Sequence, residues 1–148
     1  NRRTVEPQMT KTIIADIGRI AGFVMPRAKM TGRDASEFTG IGLQQDGQVI
    51  GGVLYENYSG VGGCVEMHVA GEGAHWITSR FLKLAFHYPF VQLGCKVVRG
   101  RVPSDNIHAL AFDLKLGFKL EHRLKNSRPD GDDWLLMMWR DECRFLEK

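Results

Sequence analysis

Asp46-Gly47 stands between two runs of β-forming residues, and a two-residue loop of this kind forces its flanking strands to pair antiparallel. The sequence therefore predicts strands over about 41–45 and 49–58. Ser59, Gly60, Gly62 and Gly63 make a second turn, after which Cys64 to Ala70 reads as a third strand. Its alternation sets Val65, Met67 and Val69 on one side and Glu66 with His68 on the other.

Helical spacing flanks this meander. Ile13, Ile14, Ile17, Ile20, Ala21 and Val24 recur at that spacing behind Thr10, a fair N-cap, and Pro26 ends the pattern, so a helix is expected over about 11–23. The polar stretch 29–40 has no clear period. Ile77, Phe81, Leu84, Ala85 and Tyr88 predict a second helix over about 76–88, stopped by Pro89. Lys96 to Val102 is β-rich, and Pro103-Ser104-Asp105 then opens a helix with the stripe Ile107, Leu110, Ala111 and Leu114, closed by Gly117. Phe118 to Leu124 and Trp134 to Trp139 form two last strands about the turn-rich Asn126 to Gly131, and a charged tail with helical character follows. This order predicts an α/β (α+β) fold with one mixed sheet of about six to seven strands and helices on both faces. The step from 64 to 102 is a right-handed parallel crossover, and a ligand is expected near the carboxyl ends of its strands.

A length of 148 residues with 43% hydrophobic content suits one domain over 1–148, closed without metals or disulfides. The net charge of +3 marks a mildly basic surface rather than a nucleic-acid footprint, and a basic nucleic-acid-binding domain ranks third among the readings. Cys64, Cys95 and Cys143 are odd in number and widely spaced, which fits a reducing cytoplasm. No apolar run approaches a membrane span, and Asn1-Arg2-Arg3 lacks the apolar core of a signal peptide; a start without Met reads as a trimmed end.

Asn106-Ile107-His108-Ala109-Leu110-Ala111-Phe112-Asp113-Leu114-Lys115-Leu116-Gly117-Phe118 resembles the late motif of the GNAT N-acetyltransferase superfamily, where an Asn opens a helix that ends in Leu-Gly-Phe. The element order from Ile41 to Trp139 looks like that superfamily's sheet, and Arg2 to Val5 would supply its first strand. The resemblance implies acetyl-CoA as co-substrate, wedged between two splayed parallel strands. Its pantetheine would lie on Met67, His68 and Val69, and its pyrophosphate on a loop made of Ala74, His75, Trp76, Ile77, Thr78 and Ser79 at a helix start. The sequence departs from the family at two places. The loop usually reads Arg or Gln, two residues, Gly, one residue, then Gly or Ala, whereas Trp76 and Ile77 here narrow the cradle, and His75, Thr78 and Ser79 offer hydrogen bonds instead. Where many members place a Tyr that protonates the leaving thiolate, this chain has Asp113, a poor donor unless burial raises its pKa.

Glu66 matches a position from which some members deprotonate the acceptor amine, and His68 is placed to relay that proton or orient the acceptor. Asn106 is expected either at the pantetheine amides or as its own helix cap. The remaining histidines lack metal-ligand spacing, so no metal is expected. Trp134, Leu135, Trp139 and Phe145 are expected to fill the core or cover a homodimer surface. Lys96, Arg99, Arg101, Arg123, Lys125 and Arg128 cluster as a solvated face, or as an attractor for the CoA 3′-phosphate, an acidic acceptor or nucleic acid. The leading expectation is direct acetyl transfer from acetyl-CoA to an amine acceptor, small or protein-borne. The alternative is a catalytically silent GNAT-like binding or structural module.

Overall fold

The computed structural model describes residues 10–73 and 76–146. The expected strand at Arg2 to Val5, and Ala74 and His75 of the expected phosphate loop, lie outside the described residues.

Among the described residues seven strands form one sheet in the order β1-β2-β3-β4-β5-β7-β6. They are β1 (Lys11–Ile14), β2 (Thr39–Gln45), β3 (Gln48–Glu56), β4 (Cys64–Gly71), β5 (Val97–Pro103), β6 (Lys119–Arg128) and β7 (Gly131–Trp139). Every adjacent pair is antiparallel except β4 and β5, which are parallel. The β2–β3 hairpin turns on Asp46 and Gly47, whose φ values of 52° and 75° are the mirror-turn geometry expected of that dipeptide.

Among the described residues three α-helices cover the sheet: α1 (Ile17–Arg27), α2 (Ser79–His87) and α3 (Ile107–Leu116). On one face α1 buries Ile20, Phe23 and Val24 against Leu54 and Phe38. Each of those large side chains gains roughly 1.5–3 kcal/mol from burial. On the other face Phe81 and Phe86 of α2 and Leu116 of α3 pack on Tyr55, Val65, Met67, Val98, Leu136 and Met138.

Three local expectations are corrected. The helix expected from Lys11 to Phe23 is two elements: Lys11–Ile14 pairs with β2, and α1 begins only where the Asp16 carboxylate accepts from Arg19 N–H. Ile13 and Ile14 fit either period, and edge pairing decides it. Neither proline acts as the expected stop. Pro26 sits in the last turn of α1, and Pro89 opens a π-helical extension, Tyr88–Gln92, of a helix that starts at Ser79 behind its Thr78 cap rather than at Trp76. In α3 only part of the expected stripe faces the core: Leu110 packs on it, whereas Ile107 and Leu114 are 65% and 44% exposed, Ala111 is exposed, and Leu116 is the buried residue. Its caps are as expected: Asn106 accepts from Ala109 N–H, and Gly117 takes φ 115°. Phe145 joins the core by stacking on Phe86, whereas Leu135 and Trp139 remain half-buried on the sheet face opposite Leu136 and Met138.

Candidate functional site

The parallel pair is where the sheet opens. β4 and β5 are in register only at Cys64↔Val97, Val65↔Val98 and Glu66↔Arg99, although β4 runs on to Gly71 and β5 to Pro103. Beyond Glu66 the β4 edge that faces β5 has no strand partner among the described residues. A buried backbone edge must be satisfied by something, so this opening suits an extended ligand carrying amide groups. A groove of about 520 Å³ follows it, lined by Met67, His68 and Val69 from β4, Arg101 from β5, and Asn106 and Asp113 from α3. That volume is in the range of small-molecule sites.

The loop before α2 closes one end. Trp76 is buried, stacks on Phe112 and lies edge-on to Phe81. Its indole lies flat over two glycines: a Cβ on Gly51 would come within 2.0 Å of the ring, and one on Gly71 within 1.9 Å. The indole thus turns into the sheet. Ile77 packs on the same core. Thr78, expected as a phosphate donor, accepts from Phe81 N–H at 3.1 Å as the α2 cap, and Ser79 is the exposed first residue of α2. The free N–H groups of this first turn, at the positive end of the helix, favour an anion.

At the closed end of the opening, the sheet face covered by α1 carries a chain of charges. His68 Nε2 lies 2.5 Å from Glu56 Oε2 and 3.3 Å from Glu66 Oε2. Arg33 reaches Glu56 Oε1 at 2.6 Å and also pairs with Glu37. Arg99 and Arg101 approach Glu66 at 3.5 and 3.4 Å. Phe38 sets its ring edge against His68 and its face under Arg33.

These contacts fix the protonation states. Burial alone would raise the Glu56 carboxyl, but hydrogen bonds from His68 and Arg33 outweigh it and bring it down to about 2. Burial pushes Glu66 upward too, and the His68 hydrogen bond with the Arg101 charge reverses the shift, leaving it below the usual carboxylate value. For His68 burial disfavours the imidazolium, yet the two carboxylates more than offset that and raise its pKa. Glu66, 2% exposed, is therefore an ionised carboxylate enclosed by cations, and His68 is the member of the pair that lines the groove. Glu56, Glu66 and His68 also have the ligand types of a divalent-metal site. Three guanidinium groups already neutralise those carboxylates, which fits an ion-pair network better than a metal centre.

Asp113 differs from all of these. No hydrogen bond or ion pair holds its carboxyl among the described residues, and burial raises its pKa from 3.8 to about 7. The sequence identifies Glu66, His68, Asn106 and Asp113, but not Glu56, Arg33 or Phe38. The missing signal lies in register: Glu56 stands directly opposite Glu66, and like charges so placed repel unless cations lie between them.

No protein-family model matches the sequence, and no curated protein matches it significantly. Solved structures do match in shape. The ribosomal-protein-S5-alanine acetyltransferase from Vibrio fischeri superposes with a TM-score of 0.69 at 13% identity, covering 89% of this chain and 94% of its own. A mutant form of the spermidine/spermine N-acetyltransferase SpeG from Vibrio cholerae gives 0.67 at 14% identity, covering 89% and 96%. An acetyltransferase of the GNAT family from Streptococcus pneumoniae gives 0.66 at 12% identity, covering 88% and 99%. At these identities the likeness is one of fold: this chain has the GNAT fold.

Proposed function

We propose that this chain, which carries the fold of the GNAT acetyltransferases, binds acetyl-CoA between β4 and β5 and promotes direct transfer of the acetyl group to an amine. The observation that carries the reading is the parallel pairing that stops at Glu66↔Arg99 while both strands continue. In this reading the open edge of Met67, His68 and Val69 pairs with the pantetheine amides, and Asn106 adds its side-chain amide from α3. The first turn of α2, with Ser79 and the Thr78 hydroxyl, takes the pyrophosphate beside a floor of Trp76 and Ile77; Ala74 and His75 belong to the same loop.

An alkyl ammonium, with a pKa near 10.4, must lose a proton before its nitrogen attacks a thioester. His68 in its neutral form accepts that proton at the groove, and Glu66 and Glu56 make it a stronger base than a free imidazole. Asp113 supplies the opposite step. Its carboxyl, with a pKa of about 7, is protonated in about half of the molecules at neutral pH, lines the groove and in that form gives its proton to the leaving thiolate.

Two measurements test this. Millimolar acetyl-CoA should raise the melting temperature, since a ligand at a hundredfold excess over its Kd adds about 2.7 kcal/mol of stability. His68→Gln and Glu66→Gln should each keep that shift while lowering thiol release by about 10²–10⁴-fold. Absence of any melting shift would rule out the acetyl-CoA site. A module that binds without turnover is the second reading, supported by Ile77 and Ser79 at the loop positions where the family motif has Gly and then Gly or Ala, and by Asp113 in place of its Tyr. A melting shift with no thiol release from any amine would favour it.

A further inference from the structure

The basic cluster of the late strands divides in the structure. Arg123 pairs with Asp132 at 2.6 Å and Arg128 with Asp133 at 2.7 Å, so the hairpin neutralises its own cations. Arg99 and Arg101 have no acid of their own. Both share Glu66, which His68 also contacts, and both remain partly exposed, their side chains 38% and 45% accessible. Around the closed end of the groove, Arg33, His68, Arg99 and Arg101 face three carboxylates among the described residues, Glu37, Glu56 and Glu66. With His68 neutral the three guanidinium groups balance the three carboxylates, and protonated His68 makes the cluster positive by one; the local surplus lies on β5, where Arg99 and Arg101 share the single carboxylate of Glu66.

Two further observations point to an anionic ligand there. Arg99 Nε is buried with no hydrogen-bond acceptor, since Glu66 Oε1 stands 3.5 Å away. Glu66 therefore leaves the Arg99 guanidinium incompletely paired, and the accessible part of the group is free to donate a charge-assisted hydrogen bond to an incoming carboxylate. Register also places Met137 beside Arg99 and Leu135 beside Arg101, both half-buried, so the guanidinium groups stand on apolar ground where an ion pair is worth more than in water. The phosphates of the co-substrate do not account for this demand. They belong at the α2 amino end, beyond Gly71, and five residues of strand separate Gly71 from Glu66, about 16 Å.

We propose that Arg99 and Arg101 form the specificity site for the acceptor, and that the acceptor is an amine with a carboxylate a few bonds from its nitrogen. This rests on the acetyltransferase reading above. The carboxylate docks on the two guanidinium groups and thereby brings its amine to His68, whereas a polycationic amine meets like charge. The anion has two sources, the α-carboxylate of a free amino acid or the side chain of an acidic amino-terminal residue in a peptide.

The test compares acceptors in the thiol-release assay: free alanine and alaninamide, peptides beginning with Glu or with Gln, a lysine-rich peptide, and spermidine. Peptide binding to the protein, with and without CoA, is titrated alongside by calorimetry. The expected result is at least a tenfold higher kcat/KM for the carboxylate-bearing member of a matched pair, expressed mainly in KM. Alanine over alaninamide identifies the free amino acid, and Glu over Gln identifies the peptide. In Arg99→Gln the advantage should fall severalfold, and Arg99→Lys should restore part of it, which a merely structural role would not do. Equal use of both members, or preference for spermidine or the basic peptide, overturns the proposal. So does acetyl-CoA binding with neither acidic class bound or acetylated. If acetyl-CoA fails to shift the melting temperature, the acetyltransferase reading falls instead, and the peptide titration still shows whether these arginines select an anion.

Discussion

Asp113 carries a carboxyl whose ionised form is disfavoured by burial and unaided by any partner among the described residues. Because its folded pKa of about 7 exceeds the unfolded 3.8, the folded state holds the extra proton between those values, and stability falls as pH rises through that window. Asp113→Asn removes the ionisation, so it should match the wild type below pH 4 and be more stable at pH 8, by up to about 4 kcal/mol from the size of the shift. Melting curves across pH 4–8 check this, and a pH-independent difference would contradict the burial argument. The same residue should govern rate: thiol release should decline above about pH 7 in the wild type, and that limb should vanish in Asp113→Asn. For His68 the expectation is an imidazole that titrates above 6.5, moving down in Glu56→Gln as one of its two carboxylates is lost, readable by NMR of the ring protons. Strand alternation sets Glu66 and His68 on one face, and the GNAT resemblance marks that face as the candidate site. Glu56 and Arg33 were not legible, because they reach the site from another strand and from a segment without periodicity, and single-strand patterns carry no information about cross-strand register.

At the scale of elements, the joint between β3, β4 and the loop before α2 is built on absent side chains. Gly71→Ala would drive a methyl group into Trp76 and should cost roughly 1–3 kcal/mol, as overpacked sites do. In a Trp76→Ala background, itself destabilised by about 3–5 kcal/mol, the same change should be nearly neutral. Denaturant titrations of the four proteins measure the coupling, and additive costs would mean that the indole does not press on that glycine. Thr78→Ala should remove about 1 kcal/mol through the lost α2 cap, whatever happens to ligand affinity. The elements that were legible are those with chemical punctuation: Asp46-Gly47, the Asn106 cap and Gly117 each specify a backbone geometry. Lys11–Ile14 was misread because four residues cannot separate a helical from an extended period, and pairing with β2 settles the matter from outside the segment. The stripe on α3 holds only at Leu110 for a related reason: the helix borders a groove lined by Phe112 and Asp113 while Ile107 and Leu114 face outward, so the apolar pattern alone does not mark the core.

The whole sheet is held across its middle by the three residue pairs that join β4 to β5, whereas its neighbours β3–β4 and β5–β7 are joined by six and seven. The amides of Met67 to Gly71 that face β5 should therefore exchange with solvent hydrogen quickly, and acetyl-CoA should slow them if it lies along that edge. Exchange rates unchanged by saturating acetyl-CoA would place the ligand elsewhere. The same seam gives the molecule a mechanical direction. Tension applied in the plane of the sheet and across its strands, from β1 to β6, passes through six strand junctions in series, and the junction with the fewest bonds is the one that gives way first. Pulled in a force spectrometer through residues on those two edges, the protein should part between β4 and β5. A ligand lying in the opening acts there as a partial extra strand, so the rupture force should rise with acetyl-CoA concentration, while pulling along the strands should show a much smaller dependence.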